Sequence, residues 1–541
     1  MSKRVRCQGY TEEPSSKRLR KPDLISPLSD ELLLHILHFL PIRSLITCQW
    51  FAALAGDSEL WKQKYYTRWV EPRALRVQQV IRNGRSRPQI RYTPRVSTWL
   101  DQSPLATIND KMHWKCQYRL QHNWSKGSCR TKEVEVAHHS IPPAVVKLCH
   151  GLVFTADIAS GLRVWSANDT NSLLASVSYA DIGLDTQKYG PPTAISAEFD
   201  DCDESRYDIV LGFERGVIAI SSFGYEGETP KFRFRLFIPT PDNGAISSIA
   251  CHEGYLLVFS GTKILSLYQL NKKAEGNGDD PPRLITSLTS STIQMPVSLS
   301  IRTTLTDIIM SIAYTFPRIG CGWSFGIQEF RCNKSSEKIE CRLATTVAAQ
   351  FSDQAFHCPF RPGTGSRKPA PGLNAGLLSM YMPTLAYTQR PTFISYSHPY
   401  LLTSHADNTL TMYLVVSNAD NLRVKLGYRL WGHTSAVAGV QVSSRGKAVS
   451  VSPKTGQIRL WELEDIVSTR PTHRRVSMEN HSILINSHPS NIQAGRPGFQ
   501  LLSETYEVPD SGTAIEFDDR QIVILRGRDT DAQVLNCYDF T

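Results

Sequence analysis

From Lys132 onward the chain is written in short runs of β-favouring apolar residues, each run closed by turn residues, and this rhythm limits what it can fold into. The clearest runs are Ala144–Leu148, Leu152–Thr155 and Leu162–Trp165, then Thr193–Ser196, Asp208–Gly212 and Gly216–Ile220. The pattern continues in Tyr255–Phe259 and Leu265–Tyr268, and more loosely in Val297–Leu299, Ile308–Ser311 and Trp323–Phe330. It returns in Phe393–Ser395, Tyr400–Ser404 and Thr409–Tyr413, in Val437–Val442, Ala448–Val451 and Gly456–Glu462, and in Thr513–Ile515, Gln521–Leu525 and Val534–Tyr538. Strands this short cannot bury their faces singly, so the expectation is an all-β sandwich or propeller. Grouped at a period of about 40–45 residues, the runs make seven units, a propeller of seven blades.

The sixth unit carries a specific resemblance. Gly432-His433 and Trp461-Glu462 sit where a WD40 repeat has its Gly-His and Trp-Asp pairs. In such repeats a His, a Ser, a turn Asp and the Trp form a structural hydrogen-bond set. Here His433 and Trp461 match, while Thr455 takes the Asp place. In the fifth unit Asp407 matches, with Tyr413 for the Trp; in the first, Trp165 matches but Ala159 stands where the Asp belongs. The repeats are divergent, and these residues serve the fold.

The seventh unit ends with its third strand and lacks an outer one. Glu133–Val136, just before the first unit, can supply it, and that pairing would remove an open edge. Three stretches are read as insertions: 271–282, 356–376 and 466–510. The last contains Arg474-Arg475-Val476-Ser477, which resembles a target for a basophilic kinase, although chance occurrence is the better reading.

The N-terminal part obeys a different period. Leu28, Leu32, Leu33, Ile36, Leu37 and Leu40 recur at steps of three and four, one stripe of a helix. Ser29 suits its N-cap, Asp30 and Glu31 suit the positive end of its dipole, and Pro41 stops it. Leu45, Trp50 and Leu60-Trp61 continue the apolar series. Three short helices cannot bury all of this, so part of the stripe is expected to be an interface.

With Leu28–Leu33, Ile36-Leu37, Leu40, Leu45 and Leu60-Trp61, residues 24–66 resemble an F-box, the motif that inserts into a Skp-family adaptor and so joins a cullin-based (SCF-type) ubiquitin ligase. Ser29 replaces the usual Pro, and about one turn of the second helix is missing between Cys48 and Trp50. The shortening points to a trimmed interface or to codons lost at a splice junction. The resemblance implies an adaptor-binding set of Leu28, Leu32, Leu33, Ile36, Leu37, Leu40, Leu45, Trp50 and Trp61. Residues 67–130 read as a basic helical linker, with Trp114, Lys115, Tyr118, Arg119, Asn123, Trp124 and Gly127 resembling the segment before the propeller in F-box proteins with WD repeats. Residues 1–23 read as a disordered basic tail, and Lys17–Lys21 is equally a nuclear import signal or a solvated run.

Charge supports this division. The net charge is +10, yet residues 1–130 hold 23 Lys and Arg against 10 Asp and Glu, and the remainder 37 against 40. A nucleic-acid binder basic throughout would look different. No stretch of about 18 apolar residues could span a bilayer. The twelve cysteines form no C-x-x-C pair or zinc-ligand cluster, so no metal site is expected. His138-His139, beside a strand, point to opposite faces and suit neither a metal nor a catalytic base. No phosphate-cradling loop or nucleophile elbow is present, and no cofactor or active site is called for.

The reading is therefore of a non-catalytic substrate receptor of a ubiquitin ligase, cytoplasmic or nuclear. Its partners would be a Skp-family adaptor, through it a cullin, and a protein substrate, phosphorylated or not. Arg163, Arg423, Lys425, Arg429, Arg445 and Arg459 are substrate-face candidates by composition alone. A WD-repeat scaffold without a ligase role is the alternative.

Overall fold

The computed structural model describes residues 28–541 except 48–51, 72–112, 138–141, 168–172, 201–205, 227–228, 240–243, 271–281, 291, 305, 319–321, 334–338, 347–388, 419–420, 426, 453, 465–481, 490–513 and 528–531. Trp50, the His138-His139 pair, the basic tail, the Arg-rich part of the linker, Arg474–Ser477 and the insertion at 356–376 lie outside the described residues, as does all but the final residue of the insertion at 271–282. The chain divides into a unit ending at Arg119 and a unit running from Leu120 to Thr541.

In the first unit, α1 (Asp30–Phe39) begins after Ser29 and stops before Pro41. The short helices α2 (Ile42–Thr47) and α3 (Ala52–Ala55) follow. Helix α4 (Ser58–Tyr65) is capped by Asp57, whose carboxylate accepts from the Glu59 and Leu60 amides, and it runs on as a π-helical turn, Tyr66–Val70. The boundary between the units falls inside α5 (Trp114–Lys126). Leu37, Leu45 and Leu60, with Leu40 and Leu54 against them, form one small core. Trp61, Tyr65 and Tyr118 form a second. There Trp69 meets Tyr118 at 4.7 Å and the Arg68 guanidinium lies 4.7 Å over the Trp69 ring.

The second unit is a propeller of seven sheets. The first blade is β2 (Val145–Cys149), β3 (Leu152–Asp157), β4 (Gly161–Ser166) and β5 (Leu173–Val177), and the second β6 (Pro192–Phe199), β7 (Arg206–Phe213), β8 (Val217–Glu226) and β9 (Thr229–Pro239). The third is β10 (Ile246–His252), β11 (Tyr255–Ser260), β12 (Ile264–Gln269) and β13 (Arg283–Thr289). The fourth is β14 (Gln294–Thr303), β15 (Asp307–Arg318), β16 (Gly322–Asn333) and β17 (Ile339–Thr345). The fifth is β18 (Phe393–Ser397), β19 (Tyr400–Ser404) and β20 (Leu410–Ser417), edged by β21 (Leu422–Val424) and β22 (Tyr428–Leu430). The sixth is β23 (Gly439–Val442), β24 (Lys447–Ser452), β25 (Gln457–Glu462) and β26 (Ser482–Leu484). The loosely patterned region between 290 and 340 is thus an ordinary four-stranded blade.

The seventh blade combines β28 (Ile515–Phe517), β29 (Gln521–Gly527) and β30 (Gln533–Asp539) with β1 (Ser128–Ala137). Strand β1 lies antiparallel to β30, Val134 opposite Leu535 and Glu133 opposite Asn536, so the expected closure forms. It begins at Ser128, inside the stretch read as linker. The insertion at 466–510 needs a larger correction. Residues 482–484 are the outer strand of the sixth blade, and after Ile485 alone the chain crosses to pair β27 (Asn486–Pro489) parallel to β1. A three-residue strand with no alternation gives too little pattern to be read as one. Gly127 ends α5 with φ +64, and a Cβ on it would run into the Leu484 carbonyl, so the segment 482–489 packs directly over the start of β1.

Neighbouring blades bury apolar side chains between their faces, for example Val153, Trp165, Val523 and Leu535 at closure. Between blades four and five a buried ion pair joins an apolar contact that includes Phe325, Ile327, Ile394 and Leu401. Glu329, 1% exposed, pairs with Arg302 at 2.7 Å and accepts the Ser417 hydroxyl at 2.9 and 2.8 Å.

Candidate functional site

Helix α1 places its apolar residues on two sides. Leu33 and Leu37 face the core, while Leu32, Ile36 and Phe39 are 53%, 44% and 72% exposed. Positions 32, 36 and 39 follow the helical repeat, so they form one continuous row on the outer side. Ile46 on α2 is likewise exposed. The fold of this small unit thus leaves a row of apolar side chains uncovered.

The structure therefore splits the adaptor set inferred from the sequence. Leu33, Leu37, Leu45 and Trp61 are buried and build the unit; in α1, Leu33 and Leu37 each follow an outward residue by one position, a step that turns the side chain by about 100°. Leu28 and Leu40 are half-buried, and Trp50 is outside the described residues. Phe39, the most exposed of the row, was missed in the sequence, although its spacing from Leu32 and Ile36 carried the signal. Lys64 fastens the far end of α1 by donating to the carbonyls of His38 at 2.5 Å and Leu40 at 3.0 Å.

In the propeller the WD-type residues act as fold elements. Trp461 donates to Ser450 Oγ at 2.8 Å, and His433 Nε2 lies 2.6 Å from the same oxygen. Burial pushes the imidazole of His433 down to about 4. Trp165 repeats the arrangement with Thr155 Oγ1 at 2.9 Å. The turn acid of that blade is Asp157, which caps Ala159 and Ser160, so the function sought at Ala159 is met two residues earlier. Asp407 closes its turn by accepting from the Thr409 amide and hydroxyl at 3.2 and 2.6 Å. His405 lies 3.1 Å from Thr403 Oγ1, and burial brings it too down to about 4.

Chain direction alternates within a blade. The turns from second to third strand and the crossings to the next blade therefore share one rim, and the remaining turns share the other. On the first rim Asn408 of the β19–β20 turn donates to the Thr434 carbonyl in the crossing from β22 to β23. Further round this rim Ile158, Ala159, Tyr179, Leu184, Asp185 and Thr186 line a cavity of about 440 Å³. The cationic candidates do not converge. Arg163 pairs with Asp157 at 2.7 Å and lies over Trp165; Arg459 donates to Ser482 at 2.8 Å; Arg445 pairs with Asp519 on the opposite rim. Arg429 lies 3.7 Å from Asp407. Arg423 is exposed on β21, and Lys425 follows that strand. Among the described residues no group of three His, Cys, Asp or Glu could hold a metal ion, and no helix is long and apolar enough to cross a membrane.

Comparison with known proteins bears on the propeller first: the family described as the F-box protein pof12 β-propeller matches residues 129–541. The chain belongs to that family. A second likeness is to the F-box protein pof12 of Schizosaccharomyces pombe, 40% identical over 85 residues. That match takes in 15% of this chain and 19% of the relative's length. Among solved structures, the pof12-family propeller is similar to the WD40 propeller domain of Doa1, at 10% identity over 75% of this chain and 95% of that one, with a TM-score of 0.37. It is similar also to the computationally designed Ika8 protein, at 11% identity over 76% and 99%, with a TM-score of 0.35. Both superpose weakly, and the blade count of the pof12-family propeller rests on its own strand pairing.

Proposed function

We propose that this chain is the substrate-recognition subunit of an SCF-type ubiquitin ligase, with the unit around α1–α4 as its F-box. The observation that carries the reading is the outward row of Leu32, Ile36 and Phe39 on a helical unit whose own core is already filled by Leu37, Leu45 and Leu60. The row would insert into a Skp-family adaptor, each side chain contributing about 1.5–3 kcal/mol if fully buried there. The likeness to an F-box protein supports the same assignment. The propeller would hold the protein to be modified, and the acceleration would be one of proximity: a tethered lysine meets the conjugating enzyme at high effective concentration. The protein itself would perform no chemistry.

The test is capture of partners by the full chain from its own cells, beside a Leu32→Asp/Ile36→Asp double variant, read by mass spectrometry. An adaptor and a cullin recovered with the wild type and lost with the variant support the receptor. Equal recovery from both forms, or no adaptor with either, overturns it and leaves a propeller scaffold. The helical turn missing from the sequence between Cys48 and Trp50 is the feature that favours that second reading.

A further inference from the structure

Helix α1 ends where the exposed row ends: Phe39 is its last residue, and Leu40 is its C-cap in an extended conformation. A helix leaves its final carbonyls without partners, and the chain beyond it commonly turns back to supply amides for them. In that return, the residue after the C-cap donates to the carbonyl two residues before the C-cap, which here is that of His38. The residue in question is Pro41, which has no N–H to give. The donor comes from α4 instead. Lys64 Nζ reaches the His38 carbonyl at 2.5 Å and the Leu40 carbonyl at 3.0 Å. These two carbonyls stand on either side of Phe39 in the chain. The Phe39 ring in turn meets the His35 ring at 5.2 Å and the His38 ring at 5.4 Å, both edge to face. Among the described residues no acid pairs with Lys64, whose pKa burial pushes below the usual lysine value. Its ammonium is directed at the negative end of the α1 dipole.

We propose that Lys64 is a positioning residue for adaptor docking: by holding the backbone on both sides of Phe39, it fixes that ring in the outward row with Leu32 and Ile36. This rests on the reading that the row inserts into a Skp-family adaptor. Helix ends fray, and a ring presented from a frayed end must be ordered at the moment of binding. Such ordering subtracts from affinity, so a lysine that completes it beforehand tightens the complex through the backbone of α1. Lys62, on the same helix, pairs with Glu59 at 3.2 Å and serves as the control.

The experiment measures the affinity of the full chain for the purified Skp-family adaptor of its own cells. Lys64→Met keeps the aliphatic stem without the donors and should weaken binding about tenfold. Lys64→Arg, which restores donors to the two carbonyls, should recover most of the loss, and Lys62→Met should bind like the wild type. The deciding readout is coupling. In the Phe39→Ala background, where there is no ring to present, Lys64→Met should cost less than about twofold. Amide exchange of the free chain should show the Phe39 and Leu40 amides opening faster in Lys64→Met and returning towards wild type in Lys64→Arg. An adaptor bound equally by wild type and Lys64→Met overturns the inference and leaves the receptor reading standing. So does the same loss in both backgrounds, which would make Lys64 a general support of the unit. A wild-type chain that binds no adaptor overturns the receptor reading and this inference with it. Should Lys64→Met fail to fold, Lys64→Gln, with its donors on a shorter stem, enters the same cycle and should show the same dependence on Phe39.

Discussion

Ser450 Oγ stands between two rings, accepting the indole proton of Trp461 at 2.8 Å and lying 2.6 Å from His433 Nε2. Its own proton is then free to go to the imidazole, so one hydroxyl satisfies two buried polar groups at the heart of the sixth blade. Thr155 serves Trp165 from the matching register: Thr155 faces Arg163 and Ser450 faces Arg459 across their hairpins.

Replacing Ser450 by Ala removes both partners at a site with no exposure. The variant should lose about 2–4 kcal/mol, since each orphaned buried group costs about 1–3 kcal/mol. Chemical denaturation would read the loss, and Ser450→Thr, which keeps the hydroxyl, should retain part of it.

Acid should loosen the same region. His433 and His405 have folded-state values pushed down by burial to about 4, from an ordinary 6.5. The unfolded chain therefore binds these protons first, and stability contributed by the neutral rings is complete above pH 6.5. It is lost progressively as the pH falls from 6.5 towards 4. A melting temperature that declines over this window, and declines less in His405→Gln, is the expected result; an unchanged slope in that variant would separate His405 from the effect.

Arg302→Met should expose how much Glu329 depends on its partner. The carboxylate would remain buried with only Ser417 to bond, at a cost of about 3–5 kcal/mol near neutral pH. Guanidinium denaturation of wild type and variant would read the loss.

In the helical unit, inward and outward leucines should respond oppositely. Leu37→Ala and Leu45→Ala open a cavity in a small core and should cost about 2–5 kcal/mol. Leu32→Asp and Ile36→Asp, on exposed positions, should change stability by about 0.5 kcal/mol or less. Amide hydrogen exchange across α1–α4 would distinguish the two pairs.

The repeat period and the β-type runs were sufficient to read the seven blades and the closing strand, because alternating burial leaves a direct mark on residue choice. What escaped was short or displaced. Strands β26 and β27 have three and four residues, below the length at which alternation can be seen. Asp157 caps its turn from two positions before the expected place, since what the turn needs is a carboxylate near two amides and not a fixed index. In α1 the stripe was legible as apolar, but Leu33 and Leu32 are neighbours in sequence and opposites in space. Which of two adjacent leucines faces water depends on what α2 and α4 cover, and a periodicity alone does not contain that.

The pairing of β1 with β30 also sets a timetable for synthesis. The first strand of the ring must wait until nearly four hundred further residues have been made before its mate leaves the ribosome. At about 5–20 residues per second that is roughly 20–80 s, during which the Ser128–Ala137 edge has no antiparallel neighbour. An open strand edge in a crowded cell invites pairing with other chains. Production of the folded protein should therefore respond more to chaperone supply, and to the speed at which its last blade is translated, than the stability of the finished ring would suggest.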